Sequence, residues 1–152
     1  MRKLWILLLI TSGLMSSIAM ATQGLIEVNE GYVRESIPGT SISSAYMLIQ
    51  NSTKERVKLI GAESAVSDKI EIHEHIMEND MMKMVKRESL TISANQAVKL
   101  QPSGYHLMVF DLKKPLSAGE EIAITLIFSN QSRVTVNLPV KGKKQKASHH
   151  HH

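Results

Sequence analysis

The chain has 152 residues, of which 43% are hydrophobic, 21% charged and 4% aromatic, and none is cysteine. That length supports one domain whose core can fold without covalent staples. The missing cysteine excludes disulfides, Cys-based zinc and iron–sulfur sites, thiol nucleophiles, blue-copper centres and a lipid carried on an N-terminal Cys. The formal charge is +4, from 18 Lys and Arg against 14 Asp and Glu. Arg2, Lys3, Lys141, Lys143, Lys144 and Lys146 all lie near the ends, however, and without them the body holds 12 basic residues against 14 acidic. The charge therefore points to no nucleic-acid partner.

In chain order, Arg2 and Lys3 precede an apolar run from Leu4 to Ile10 and a small-residue step, Ala19-Met20-Ala21. This pattern predicts a secretory signal peptide over 1–21, cleaved after Ala21, and a protein that works outside the cytoplasm. No later apolar stretch is long enough to cross a bilayer, so the mature form is expected to have no membrane partner. Short apolar or alternating segments follow at 25–34, 44–50, 57–61, 69–75, 81–86, 97–100, 106–112, 121–128 and 133–140, separated by turn residues. Helical periodicity is not sustained anywhere in the body. About eight or nine short strands with frequent turns predict an all-β, antiparallel sandwich over 22–140. Ser129-Asn130-Gln131-Ser132 has the composition of a tight hairpin turn. The remainder, 141–152, is rich in Lys and His and is expected to be disordered.

Chemistry-bearing residues are concentrated in two places. His106 and Met108 stand two apart in a strand, so they share a face. In Lys69-Ile-Glu-Ile-His-Glu-His75, Ile70 and Ile72 share the face expected to meet the core. Glu71, His73 and His75 take the other. Four of the six methionines beyond the leader, Met77, Met81, Met82 and Met84, fall within eight positions; the other two are Met47 and Met108. Imidazole and thioether together make a soft, neutral donor set that favours Cu(I) over Zn(II), Mg(II) or Ca(II). The same residues would equally serve as core filler or as an apolar surface for a protein partner, independent of any metal. No Gly-x-Ser-x-Gly elbow or other catalytic signature accompanies them, so no enzyme activity is expected.

His73, Met84, His106 and Met108 stand as H-x10-M-x21-H-x-M, which resembles the copper motif of the PCu(A)C family of periplasmic copper chaperones. EGYVRESIPGTSISSAYMLIQN is similar to that family's opening, and KIEIHEHIMENDMMKM and LQPSGYHLMVFDLKKPL resemble its two ligand stretches. The resemblance runs from about Ile26 to Leu138. It implies a cupredoxin-like, Greek-key sandwich in the periplasm that binds Cu(I) through His73, Met84, His106 and Met108. It also implies a monomer that passes copper toward the CuA centre of cytochrome c oxidase, to an oxidase subunit or a Sco-type copper protein. Asn79-Asp80-Met81 stands where the family commonly has a glycine-containing turn, which leaves the hairpin geometry between His73 and Met84 open. His75, Met77, Met81 and Met82 are further donors able to replace or supplement the four. His149, His150, His151 and His152 are a candidate Cu(II) site, or an inert tail.

Overall fold

A computed structural model of the chain describes residues 25–142. The expected leader at 1–21 and the histidines at 149–152 lie outside the described residues. Ten strands are formed: β1 (Ile26–Arg34), β2 (Ser43–Asn51), β3 (Val57–Glu63), β4 (Lys69–Glu78) and β5 (Met81–Arg87), then β6 (Leu90–Ile92), β7 (Gln96–Leu100), β8 (Tyr105–Phe110), β9 (Glu121–Phe128) and β10 (Arg133–Lys141). Among the described residues no helix is long and apolar enough to cross a membrane.

The strands pair in the order β5-β4-β8-β2-β1-β10-β9-β3-β6, with β7 also on β2. One layer holds β5, β4, β8, β2, β1 and β7, and the other holds β10, β9, β3 and β6. The expected antiparallel sandwich is what forms, with one exception: β1 and β10 run parallel where the layers meet, Val33 opposite Val140 and Arg34 opposite Lys141. Alternation of side chains sorts the core from solvent but does not encode the relative direction of two strands, so this pairing is invisible in the sequence. The short β6 also went unmarked, because three residues are too few to show a period.

Strict alternation builds the interior. Ile122, Ile124, Leu126 and Phe128 of β9 point inward at 5% exposure or less, against Leu59, Ile92, Leu107 and Met47 from other strands. Met47 is thus core filler, unlike the hairpin methionines. β8 ends at Phe110 because Asp111 takes a positive φ of 48° and turns the chain away.

The β4–β5 connection is two residues long. Asn79 and Asp80 have φ of 52° and 59°, the left-handed pair that a type I′ hairpin turn requires and that Asn and Asp tolerate without glycine. The 129–132 turn also forms, with the Gln131 amide donating to the Phe128 carbonyl at 3.0 Å.

Asn51 closes the far end of β2 with no exposed surface. Its Nδ2 donates to the carbonyls of Glu55, Ser93 and Ile92 at 2.8, 3.1 and 3.2 Å. Its Oδ1 accepts from the amide and hydroxyl of Thr53 at 3.0 and 2.7 Å. One side chain thereby joins the β2–β3 turn to β6. Truncating it strands several polar groups. Asn51→Ala should cost about 2–3 kcal/mol, a fall of roughly 10 °C in the melting midpoint by calorimetry.

Candidate metal centre

β4, β5 and β8 lie side by side, and their register places the donor side chains on one outward face. β4 pairs with β8 so that Glu71 faces Met108 and His73 faces His106. β5 pairs with β4 so that His75 faces Met84 and Met77 faces Met82. β2 brings Ser44 opposite Met108. The alternate residues Ile72, Leu107 and Val109 are buried at 3% exposure or less, which locks the polar face outward. A cavity of about 700 Å³ opens there, walled on the sheet side by His75, Met84, His106, Met108, Tyr46 and Ser44.

The opposite wall is the β1–β2 loop, residues 35–42. Pro38 and Gly39, the latter at φ 81°, occupy the corners of a tight turn closed by the Thr40 amide donating to the Ile37 carbonyl at 3.0 Å. This is the Pro-Gly arrangement of a type II turn. Backbone bonds from Ser36 to the Leu116 carbonyl and from Leu112 to the Ser41 carbonyl fasten the loop to the sandwich.

His106 is 2% exposed and stacks on His75, with ring centroids 4.9 Å apart and planes 24° from parallel. Its Nδ1 lies 3.0 Å from the Gly104 carbonyl. A carbonyl can only accept, so Nδ1 carries the proton and Nε2 keeps the lone pair. Burial holds the pKa of His106 below the ordinary histidine value; His75 and His73 push the same way, while the Gly104 bond opposes them. The ring is therefore neutral at neutral pH and ready to donate to a metal.

His73 sits beside this group. Its Nε2 is 2.8 Å from Oε2 of Glu71, and its ring packs 6.1 Å from that of His106 and 5.7 Å from that of Phe110. The His73 bond is the main reason that the Glu71 carboxyl is held below its usual range, with help from Lys86 and Lys69 against the opposing cost of burial. Because the carboxylate accepts at Nε2, the neutral ring presents its lone pair at Nδ1. The Nδ1 atoms of both His73 and His75 are buried without a hydrogen-bond partner. Ser44 Oγ donates to Met108 Sδ at 3.5 Å and orients that thioether.

Three of the four residues in the motif, Met84, His106 and Met108, thus wall one cavity. His73 lies one residue pair along, joined to it through the His106 ring, and His75 occupies the wall. His75 was legible in the sequence: counting back from a two-residue turn at 79–80 pairs 78 with 81, 77 with 82 and 75 with 84. The loop wall and the roles of Ser44 and Glu71 required the tertiary fold. Among the described residues no three His, Asp or Glu side chains are placed to hold a metal ion. The donors that stand beside the imidazoles on this face are the thioethers of Met84 and Met108, which suit a soft ion.

The fold and this face define a class, the PCuAC-type β-sandwich. The "Copper-bound PCuAC domain from PmoF2" superposes with a TM-score of 0.67 at 23% identity, over 78% of this chain and 93% of that one. The solution structure of CuI-DR1885 from Deinococcus radiodurans superposes with a TM-score of 0.59 at 29% identity, over 83% of this chain and 85% of that one. The "Putative lipoprotein Lxx21020" of Leifsonia xyli is 31% identical over 117 residues, 76% of this chain and 69% of its own length. Residues 26–140 match the family model described as "Putative lipoprotein LpqE-like". The chain belongs to this LpqE-like, PCuAC-type family.

An unfolded histidine protonates at about pH 6.5, the ordinary value for the side chain, whereas His106 in the fold does so at lower pH. Over that interval the unfolded chain binds more protons, so His106 lowers stability as pH falls below about 6.5. An NMR titration of the apoprotein should give His106 a midpoint below that value. The melting midpoint should fall more steeply on acidification in the wild type than in H106Q.

Proposed function

We propose that this protein is an extracytoplasmic, periplasmic copper chaperone that binds Cu(I) as cargo and performs no catalysis. The carrying observation is the convergence of Met84, Met108 and the neutral His106 on one cavity beside two imidazole nitrogens that have no protein partner. These donors fit a soft monovalent ion. All are uncharged, and none must lose a proton to bind it, unlike a thiolate. With His73 supplying the imidazole from β4, the ligands are His73, Met84, His106 and Met108, as the family resemblance implies. Glu71 and Gly104 hold the two rings by their second nitrogens, the outer support that metal-bound histidines commonly have.

A site of neutral, partly exposed thioethers suits transfer. Met84 is 49% exposed, so a recipient's own ligand can approach the ion before every donor here has let go. The recipient in this reading is a CuA-bearing subunit of cytochrome c oxidase or a Sco-type copper protein. The leader at 1–21 directs export, and the histidines at 149–152 offer a separate place for Cu(II).

Competition with a Cu(I) chelator should reveal one strong equivalent in the chain truncated before residue 149. H106A and M108L should each weaken it by about tenfold or more, and E71Q by about tenfold through the loss of support for His73. Unchanged affinity in H106A and M108L would remove the chaperone reading. Failure of the loaded protein to transfer copper to either kind of recipient would remove the delivery step alone.

A further inference from the structure

Four of the eight large apolar side chains that stand exposed among the described residues belong to one hairpin: Met77 at 64%, Met81 at 59%, Met82 at 59% and Met84 at 49%. β5 is an edge strand, the place where exposed apolar surface most invites unwanted association. Their arrangement follows from the turn. Met77 and Met82 are direct cross-strand partners, and the next pair on the same face is His75 with Met84. Directly opposed residues have their Cβ atoms about 4.5–5.5 Å apart, and neighbours along the face remain within reach of long side chains. Methionine has a long, unbranched side chain, so two such sulfurs can close on one ion.

His75 links this pair to the cavity. Its ring stacks on His106, and its Nδ1 is buried without a protein partner. Lys86, one pair beyond Met84 on this face, is engaged by Glu71 at 3.2 Å, and Arg34 and Lys141 line the cavity itself. Met81 projects with Lys83 from the other face of β5 and is not part of the group.

We propose that Met77, Met82 and His75 form a second, outer site for a soft monovalent metal ion, through which the ion passes between the hairpin and the cavity. The inference rests on the chaperone reading, since the outer site is useful only if the cavity holds the same kind of ion. Two thioethers and one imidazole are neutral and few, which makes the outer site weaker than the inner one. The two sites meet at the His75–Met84 pair, so the ion can move by exchanging one donor at a time.

The test is a titration of the full chain, carrying 13C-methyl methionine, with Ag(I) as a redox-stable soft ion. It runs to three equivalents so that any uptake by the imidazoles of residues 149–152, which include no methionine, does not exhaust the ion. Early additions should move the methyl signals of Met84 and Met108, and later ones those of Met77 and Met82 together. M77L/M82L keeps apolar bulk and removes only sulfur. It should leave the inner affinity within about twofold while slowing Cu(I) release to a chelator several-fold, since the second shift and the transfer route are both lost. Unmoved Met77 and Met82 signals at three equivalents, or wild-type release from M77L/M82L, would overturn the outer site. Unchanged release would also be the result if the hairpin served only as an apolar surface for a protein partner. If Met84 and Met108 also fail to respond, the chaperone reading fails first, and the two failures are thereby told apart.

Discussion

The register between β4 and β8 is the constraint on which the site depends. Ile72 and Leu107 face each other across that ladder on the core side, and His73 and His106 do so on the other. A slip of one residue in either strand would turn its imidazoles into hydrocarbon and its aliphatic residues into water. The cost of exposing Ile72 or Leu107 thus fixes the position of the donors. Ser67 reinforces the setting, because its hydroxyl donates to the Phe110 carbonyl and accepts from the Lys69 amide at the start of the ladder. Core packing therefore supplies the precision of a site that has almost no core residues of its own.

Much of this was legible in the sequence because strand alternation is a local signal. The outward face of β4 could be read from Ile70 and Ile72, and that of β8 from the i, i+2 relation of His106 and Met108. The boundaries of β9 at Glu121 and Phe128 follow from the same alternation. What escaped is non-local. The parallel meeting of β1 and β10 joins residues near opposite ends of the fold. The cavity's second wall comes from the 35–42 loop, which backbone bonds tie to Leu112 and Leu116, far from it along the chain. The family motif marks His73, whereas the wall is completed by His75, because a motif records spacing while a cavity records register. Asn79-Asp80 raised the question of a different hairpin geometry; the two residues adopt the left-handed conformations that a glycine-containing turn would supply.

Arg34, Glu35 and Lys141 line the cavity, so charged side chains border a site whose sulfur donors carry no charge. On β4 the Glu71 carboxylate is occupied by His73, Lys86 and Lys69. His106 is kept neutral by burial, and the methionines carry no charge at any pH. An ion on this face therefore meets soft thioether lone pairs beside the imidazoles. Thioether donors disfavour divalent hard ions, which prefer oxygen ligands.

The carbonyl of Gly104 accepts from two histidines at once, the ring of His106 at 3.0 Å and the backbone amide of His75 at 3.2 Å. A single peptide plane consequently sets the tilt of one imidazole and the height of the strand that bears the other. Any contact that rocks the 101–104 corner would reorient both together, much as one pivot moves two arms. The grip on an ion could then be loosened from outside the cavity, without a competing group ever entering it.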